Sequence, residues 1–187
     1  MTRVAVYIDG CNFYFGLKST DPRFTDFKFD FERYAKKAAS RYGKLVKVRY
    51  YNASLKKEKN ETLFKEQQQF FARLRAINEF QVILCKRQKR FDNNGQEYYS
   101  VKGDDIHLAI DMLKDAYDDL YDVAILISGD GDFAPVVRYV KNKGKEVENH
   151  HFENHISIAL MKACNTNKTI DKKTIKKNFY RTPKKNK

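Results

Sequence analysis

Apolar, β-branched runs punctuate the chain at 4–8 (VAVYI), 45–51 (LVKVRYY), 80–85 (FQVILC), 123–127 (VAILI) and 146–152 (EVENHHF). Longer stretches with helical spacing of their apolar residues fall at roughly 30–42, 60–78, 105–120, 133–143 and 153–164. Short buried runs alternating with amphipathic helices predict an α/β fold in three layers, with a mostly parallel sheet of about five strands covered on both faces. Residues 86–103, KRQKRFDNNGQEYYSVKG, break this rhythm. Asn94-Gly95 lies between two polar-aromatic arms and both residues tolerate positive φ, so a basic hairpin insertion is expected between the third strand and the next helix.

Composition narrows the class. A chain of 187 residues with 42% hydrophobic and 14% aromatic residues suits one globular domain. No run approaches the ~18 apolar residues of a membrane span and no leader precedes the first strand, so a soluble cytoplasmic protein is the default expectation. Three cysteines, Cys11, Cys85 and Cys164, are an odd number without a CxxC pair, which argues against a disulfide framework or a zinc knuckle. The net charge of +13 is uneven: residues 165–187 hold nine Lys/Arg against one Asp, leaving +5 for the remainder. The chain therefore divides into a domain at 1–165 and a lysine-rich C-terminal tail at 166–187. Such a tail either attracts phosphate backbones or is simply solvated.

Against this positive background the acids are concentrated. The first strand ends in VAVYIDGCN, delivering Asp9 and Asn12, and the strand VAILIS is followed by Asp130 and Asp132. Ligands of open parallel sheets gather outside the carboxyl ends of strands, so acids from distant positions can meet there. A third source is KGDDIHLAIDMLKDAYDDLYD, 102–122, with seven Asp and two Lys. Helical periodicity puts Ile106, Ala109, Ile110, Leu113, Ala116, Tyr117 and Leu120 on the inward face, with Asp105 at its edge and Asp104, Asp111, Asp115 and Asp118 turned to solvent.

Two carboxylates about 4 Å apart repel by about 4 kcal/mol at an effective dielectric near 20. A proton or a hard cation relieves this. Oxygen-only ligands without His or Cys at ligand spacing favour Mg²⁺ or Mn²⁺, and such an ion would orient a water and neutralise a phosphodiester. Any single Asp can instead be a helix cap. GDGDFA (129–134) also fits a dinucleotide loop, with Glu148 placed for a ribose, but its acids stand where a pyrophosphate needs bare N–H groups. Lys141 falls where an EF-hand needs an acid, and the cluster His150, His151 and His155 lacks a zincin frame. In the hairpin, Lys86, Arg87, Lys89 and Arg90 with Tyr98 and Tyr99 could clamp a nucleic-acid strand by charge and stacking, or could face water.

IDGCN (8–12), KGDDIHLAIDML (102–113) and SGDGDFAPVVRYVKNKGKEV (128–147) together resemble the NYN domain, in its LabA-like branch of the PIN-like nuclease superfamily. The resemblance implies a PIN-like α/β/α fold, an acidic pocket built from these motifs and, from several relatives, metal-dependent ribonuclease activity; the leading expectation is a metal-dependent endoribonuclease. Carried over by position, Asp9 and Asn12 match the first motif, Asp105 and Asp111 the helix motif, and Ser128, Asp130 and Asp132 the third. Asp104 replaces a commonly apolar position. Asp9, Asp105, Asp130 and Asp132 are then expected to hold Mg²⁺ or Mn²⁺, with Asp111, which periodicity turns away, a secondary ligand. Asn12 and Ser128 would hydrogen-bond a carboxylate or the scissile phosphate, while Lys102, Lys86, Arg87, Lys89 and Arg90 would grip RNA. A catalytically silent RNA-binding module is the alternative; the oligomeric state is open, with a homodimer possible.

Overall fold

A computed structural model describes residues 1–180. β1 (Arg3–Asp9) runs directly into α1 (Gly10–Thr20). After a 3₁₀ turn at 26–28 come α2 (Phe31–Ala39), β2 (Lys44–Asn52), α3 (Glu61–Arg75) and β3 (Phe80–Leu84). The hairpin β4 (Lys86–Phe91) and β5 (Glu97–Lys102) leads into α4 (Asp104–Tyr117), then β6 (Val123–Ile127), α5 (Ala134–Asn142) and β7 (Glu146–His151). The described chain closes with α6 (Ile158–Ala163), β8 (Thr166–Thr169) and α7 (Lys172–Lys177).

The main sheet has six strands in the order β3-β2-β1-β6-β7-β8, every neighbouring pair parallel. It is thus one strand wider than the sequence pattern predicts. The extra strand is β8, whose residues TNKT carry no apolar run because it is a mostly exposed edge. The basic stretch assigned to a tail is drawn into the fold here: β8 pairs with β7, while Ile170 and Ile175 are buried against the core.

Side chains of the strands alternate between two cores, as a pleated strand requires. Val4, Val6 and Ile8 join Val123, Ile125 and Ile127 against α1, α2, α3 and α7. Ala5 and Tyr7 join Ala124 and Leu126 against α4, α5 and α6. The first core is unusually aromatic: Phe13 packs against Phe29, Phe31 and Phe152 with ring centroids 4.8–5.1 Å apart, each such pair contributing about 0.5–1.5 kcal/mol beyond its buried area.

α4 is rotated from the face that periodicity assigns, although Ala109, Leu113 and Ala116 pack against the core as expected. Leu108, Met112, Asp115 and Ala116 are buried, whereas Ile106, Ile110 and Tyr117 are 65%, 58% and 62% exposed. The cause lies in the sheet. Arg49 of β2, only 13% exposed, pairs with Asp111 at 2.9 Å and Asp115 at 2.8 Å. The hydroxyls of Tyr51 and Tyr7 donate to the same two carboxylates at 2.9 and 2.7 Å. A buried guanidinium without acids would cost several kcal/mol, so the acidic side of α4 turns inward to meet it.

Candidate active site

Sheet order changes direction between β1 and β6: the chain builds outward through β2 and β3, then returns to β1's other edge for β6, β7 and β8. Such a switch point opens a crevice at the carboxyl ends of the two strands. Ile8 and Ile127 are paired across it, so the next residues, Asp9 and Ser128, emerge side by side. α4 starts at the same end, because β5 delivers Lys102 and Gly103 directly to Asp104 and Asp105. Gly103 makes that turn at φ +83°, a left-handed conformation suited to glycine.

Asp9 is the buried centre, 5% exposed. It caps α1 by accepting from the Asn12 amide at 2.9 Å, and the Ser128 hydroxyl donates to its other oxygen at 2.9 Å. The Asn12 side-chain oxygen accepts from the Gly129 amide at 2.9 Å, tying the two strand-end loops together. Gly129 must be glycine because a Cβ there would lie 2.0 Å from the His155 carbonyl oxygen. Asp130 donates its amide to Ser128 Oγ at 3.1 Å, and its carboxylate accepts from the Asp132 amide at 2.9 Å. The loop is therefore set by its own polar groups.

Burial pushes the Asp9 carboxyl up to about 7, and the charges of Asp105 and Asp104 push the same way against the pull of the Asn12 and Ser128 hydrogen bonds. Burial, then Asp104, Asp130 and Asp132, raise Asp105 to about 6. These couplings place Asp9 near Asp105 and Asp104, and Asp105 near Asp130 and Asp132. They also add Asp104, which sequence reading treated as a local substitution. The doubled acid of KGDD at a helix start was the signal for it, since both residues there overhang the same crevice. Cys11 joins the rim: burial, Asp9 and a hydrogen bond to Asp104 raise its thiol.

Asp111 is not brought to this group. It stands two turns along α4 with its carboxylate occupied by Arg49 and Tyr51. The three histidines do not converge on a metal site either. His150 is fully buried between Tyr34 and Glu148.

Hairpin pairing splits the expected substrate residues between two faces. Register places Lys86 opposite Lys102 and Arg90 opposite Tyr98 on one face, with Arg87 opposite Val101 and Lys89 beside Glu97 on the other. Lys89 pairs with Glu97 at 2.6 Å and Lys59 reaches the same acid at 2.6 Å, fastening the second face to the domain. Lys86, Arg90, Lys102 and Tyr98 are exposed. The side chain of Tyr99 lies outside what the structure describes.

Among the described residues no three His, Cys, Asp or Glu side chains already converge on a single ion-sized point. The donor set nevertheless fits Mg²⁺ or Mn²⁺: it is carboxylate oxygen only, at an open crevice, and Mg²⁺ keeps several waters while taking one or two carboxylates.

The three-layer α/β architecture, with acids at the switch point, defines the class as PIN-like. The NYN domain family model matches residues 3–171, and the chain belongs to that family, which places it in the PIN-like nuclease superfamily. Among solved structures it is similar to a protein of unknown function, VPA0982 from Vibrio parahaemolyticus RIMD 2210633, at 25% identity, TM-score 0.69, over 91% of this chain and 94% of that one. No curated protein matches the sequence. Among the described residues no helix is long and apolar enough to cross a membrane.

Proposed function

We propose that the chain is a metal-dependent endoribonuclease of the LabA-like branch. The observation that carries this reading is the group of five carboxylates at the switch point, in which burial and neighbouring acids raise Asp9 and Asp105. Asp9, Asp105, Asp130 and Asp132 would hold Mg²⁺ or Mn²⁺, which when bound supplies Lewis-acid charge and a water of lowered pKa. Ser128 and Asn12 hold Asp9 and the 128–132 loop in place, so the carboxylates need not reorganise as substrate arrives. Asp104 and Asp105, held at the start of α4, close the crevice from the hairpin side.

RNA suits the surroundings. Lys86 and Lys102 face each other across the base of the hairpin, a like-charge pair that is unfavourable until an anion answers it. They stand next to the acids, where a phosphodiester entering the crevice passes them. Arg90 and Tyr98 extend the same face for charge and stacking with a single strand.

Labelled single-stranded RNA incubated with the protein in Mn²⁺ and in EDTA tests the reading. Cleavage in Mn²⁺, lost in EDTA while binding persists, is the expected result. Binding with no cleavage under either condition would overturn the enzyme assignment in favour of a silent RNA-binding module.

A further inference from the structure

A second concave surface lies away from the acids. α2, β8 and α7 enclose a cavity of about 250 Å³ lined by Tyr34, Lys37, Lys168, Lys173, Lys177 and Asn178. It adjoins a further basic concavity of about 510 Å³ that shares Lys173 and Lys177. None of these four lysines forms an ion pair with an acid among the described residues.

The acids nearest Lys168 are already engaged. Glu148 is taken by Arg41 and by His150 Nε2 at 2.9 Å, and Asp171 caps α7 by accepting from the Thr174 amide at 2.7 Å. Burial, with Arg41 and Lys37 nearby, holds Lys168 below the ordinary lysine range. One wall is fixed from beneath, since the Tyr34 hydroxyl is hydrogen-bonded to His150 Nδ1 at 2.7 Å. The result is a concave site of lysines on a rigid floor, held by the Tyr34–His150 pair and by the Asn178 side chain, which donates to the Thr174 carbonyl at 2.8 Å. Those are the requirements of a phosphate oxyanion, which takes charge-assisted hydrogen bonds from several donors.

Register relates this pocket to the acids. Lys168, His150, Ile127 and Ile8 form one row across the sheet. Lys168 therefore stands three strand spacings, about 14 Å, from the residue before Asp9. At ~3.4 Å per stacked nucleotide, about four nucleotides cover that distance.

We propose that the α2–β8–α7 pocket binds a backbone phosphate of the RNA strand engaged at the acid crevice, acting as an anchor about four nucleotides from that crevice. The proposal rests on the RNA-binding part of the reading above and not on cleavage.

The test uses the full chain in EDTA and follows anisotropy of labelled single-stranded RNAs of about three and about twelve nucleotides across a salt series. The variants are Lys168→Glu with Lys173→Glu and, as a milder pair, Lys168→Gln with Lys173→Gln. Lys44→Glu with Arg75→Glu, at the opposite ends of the strands, is the charge-matched control, and circular dichroism confirms folding of each protein. The glutamate pair is expected to lose about tenfold or more in affinity for the longer RNA, and the magnitude of its salt slope to fall by about one to two. The glutamine pair should lose less, and the short RNA and the control should be unaffected. Unchanged affinity and slope in folded pocket variants overturn the anchor alone, whereas wild-type protein that binds neither RNA overturns the RNA reading with it. Inorganic pyrophosphate is the second probe: tight binding abolished by the glutamate pair, without loss of RNA affinity, would assign the pocket to a free phosphate ligand and overturn the proposal.

Discussion

The two ends of α4 carry the same residue type in opposite circumstances. Asp111 and Asp115 are answered by the protein itself, through Arg49, Lys47 at 3.8 Å and the hydroxyls of Tyr7 and Tyr51. Two turns earlier, Asp105 shares the crevice with Asp104, Asp130 and Asp132, and its carboxyl rises to about 6. One end is a finished ion network that orients the helix. The other holds charge repulsion that a proton or an added cation relieves, at the place where the fold opens a crevice. Acid content alone does not separate the two ends of α4; the buried Arg49 beside one of them does.

Five variants break or sharpen this contrast. The largest effect is expected from Asp9→Asn with Asp130→Asn, which should reduce Mn²⁺-dependent RNA cleavage by more than the ~10–100-fold typical of outer partners of a metal, with the fold retained by circular dichroism. At the other end of the helix, Arg49→Leu removes the partner of buried Asp115 and should cost about 3–5 kcal/mol in urea unfolding, with α4 loosened from the sheet.

Asp9→Asn alone should do the reverse to stability. An acid of ordinary pKa 3.8 raised to about 7 in the folded state favours folding when protonated, so its contribution declines as pH rises from about 4 to 7. The asparagine variant should therefore melt higher than wild type at pH 8, with a gain that shrinks toward pH 4; each kcal/mol relieved is worth about 2–4 °C. The smallest effect is expected on the hairpin, where Lys86→Ala with Arg90→Ala should lower RNA affinity modestly and reduce the salt slope by about one to two. Lys89→Ala, which loses a pair with Glu97 on the other face, should affect binding less.

The strand ends and their acids were legible because they follow from local pattern: an apolar run, then Asp9, or an apolar run, then Ser128, Asp130 and Asp132. What escaped depended on distant partners. α1 follows β1 without a turn because Asp9 caps it and Gly10 leaves room for the Tyr51 carbonyl, which a Cβ would approach to 2.4 Å. The inward face of α4 was only partly assigned, because Arg49, more than fifty residues upstream, draws Asp111 and Asp115 inward. Edge strand β8 lacks an apolar signature, and so does the lysine pocket it helps to build with α2. The acids at the two strand ends and at the start of α4 were legible from local pattern, whereas the electrostatic link of Asp104 to Asp9 and Asp105 emerged only once α4 was placed.

The most direct measurement is anomalous diffraction from crystals soaked in Mn²⁺, which locates the ion without reference to turnover. A Mn²⁺ peak within coordination distance of Asp9, Asp105, Asp130 or Asp132, and absent from Asp111 and Asp115, is the predicted result. A peak at the Asp111–Asp115 network, or full cleavage activity with the crevice empty of metal, would contradict the division of the acids between structure and catalysis.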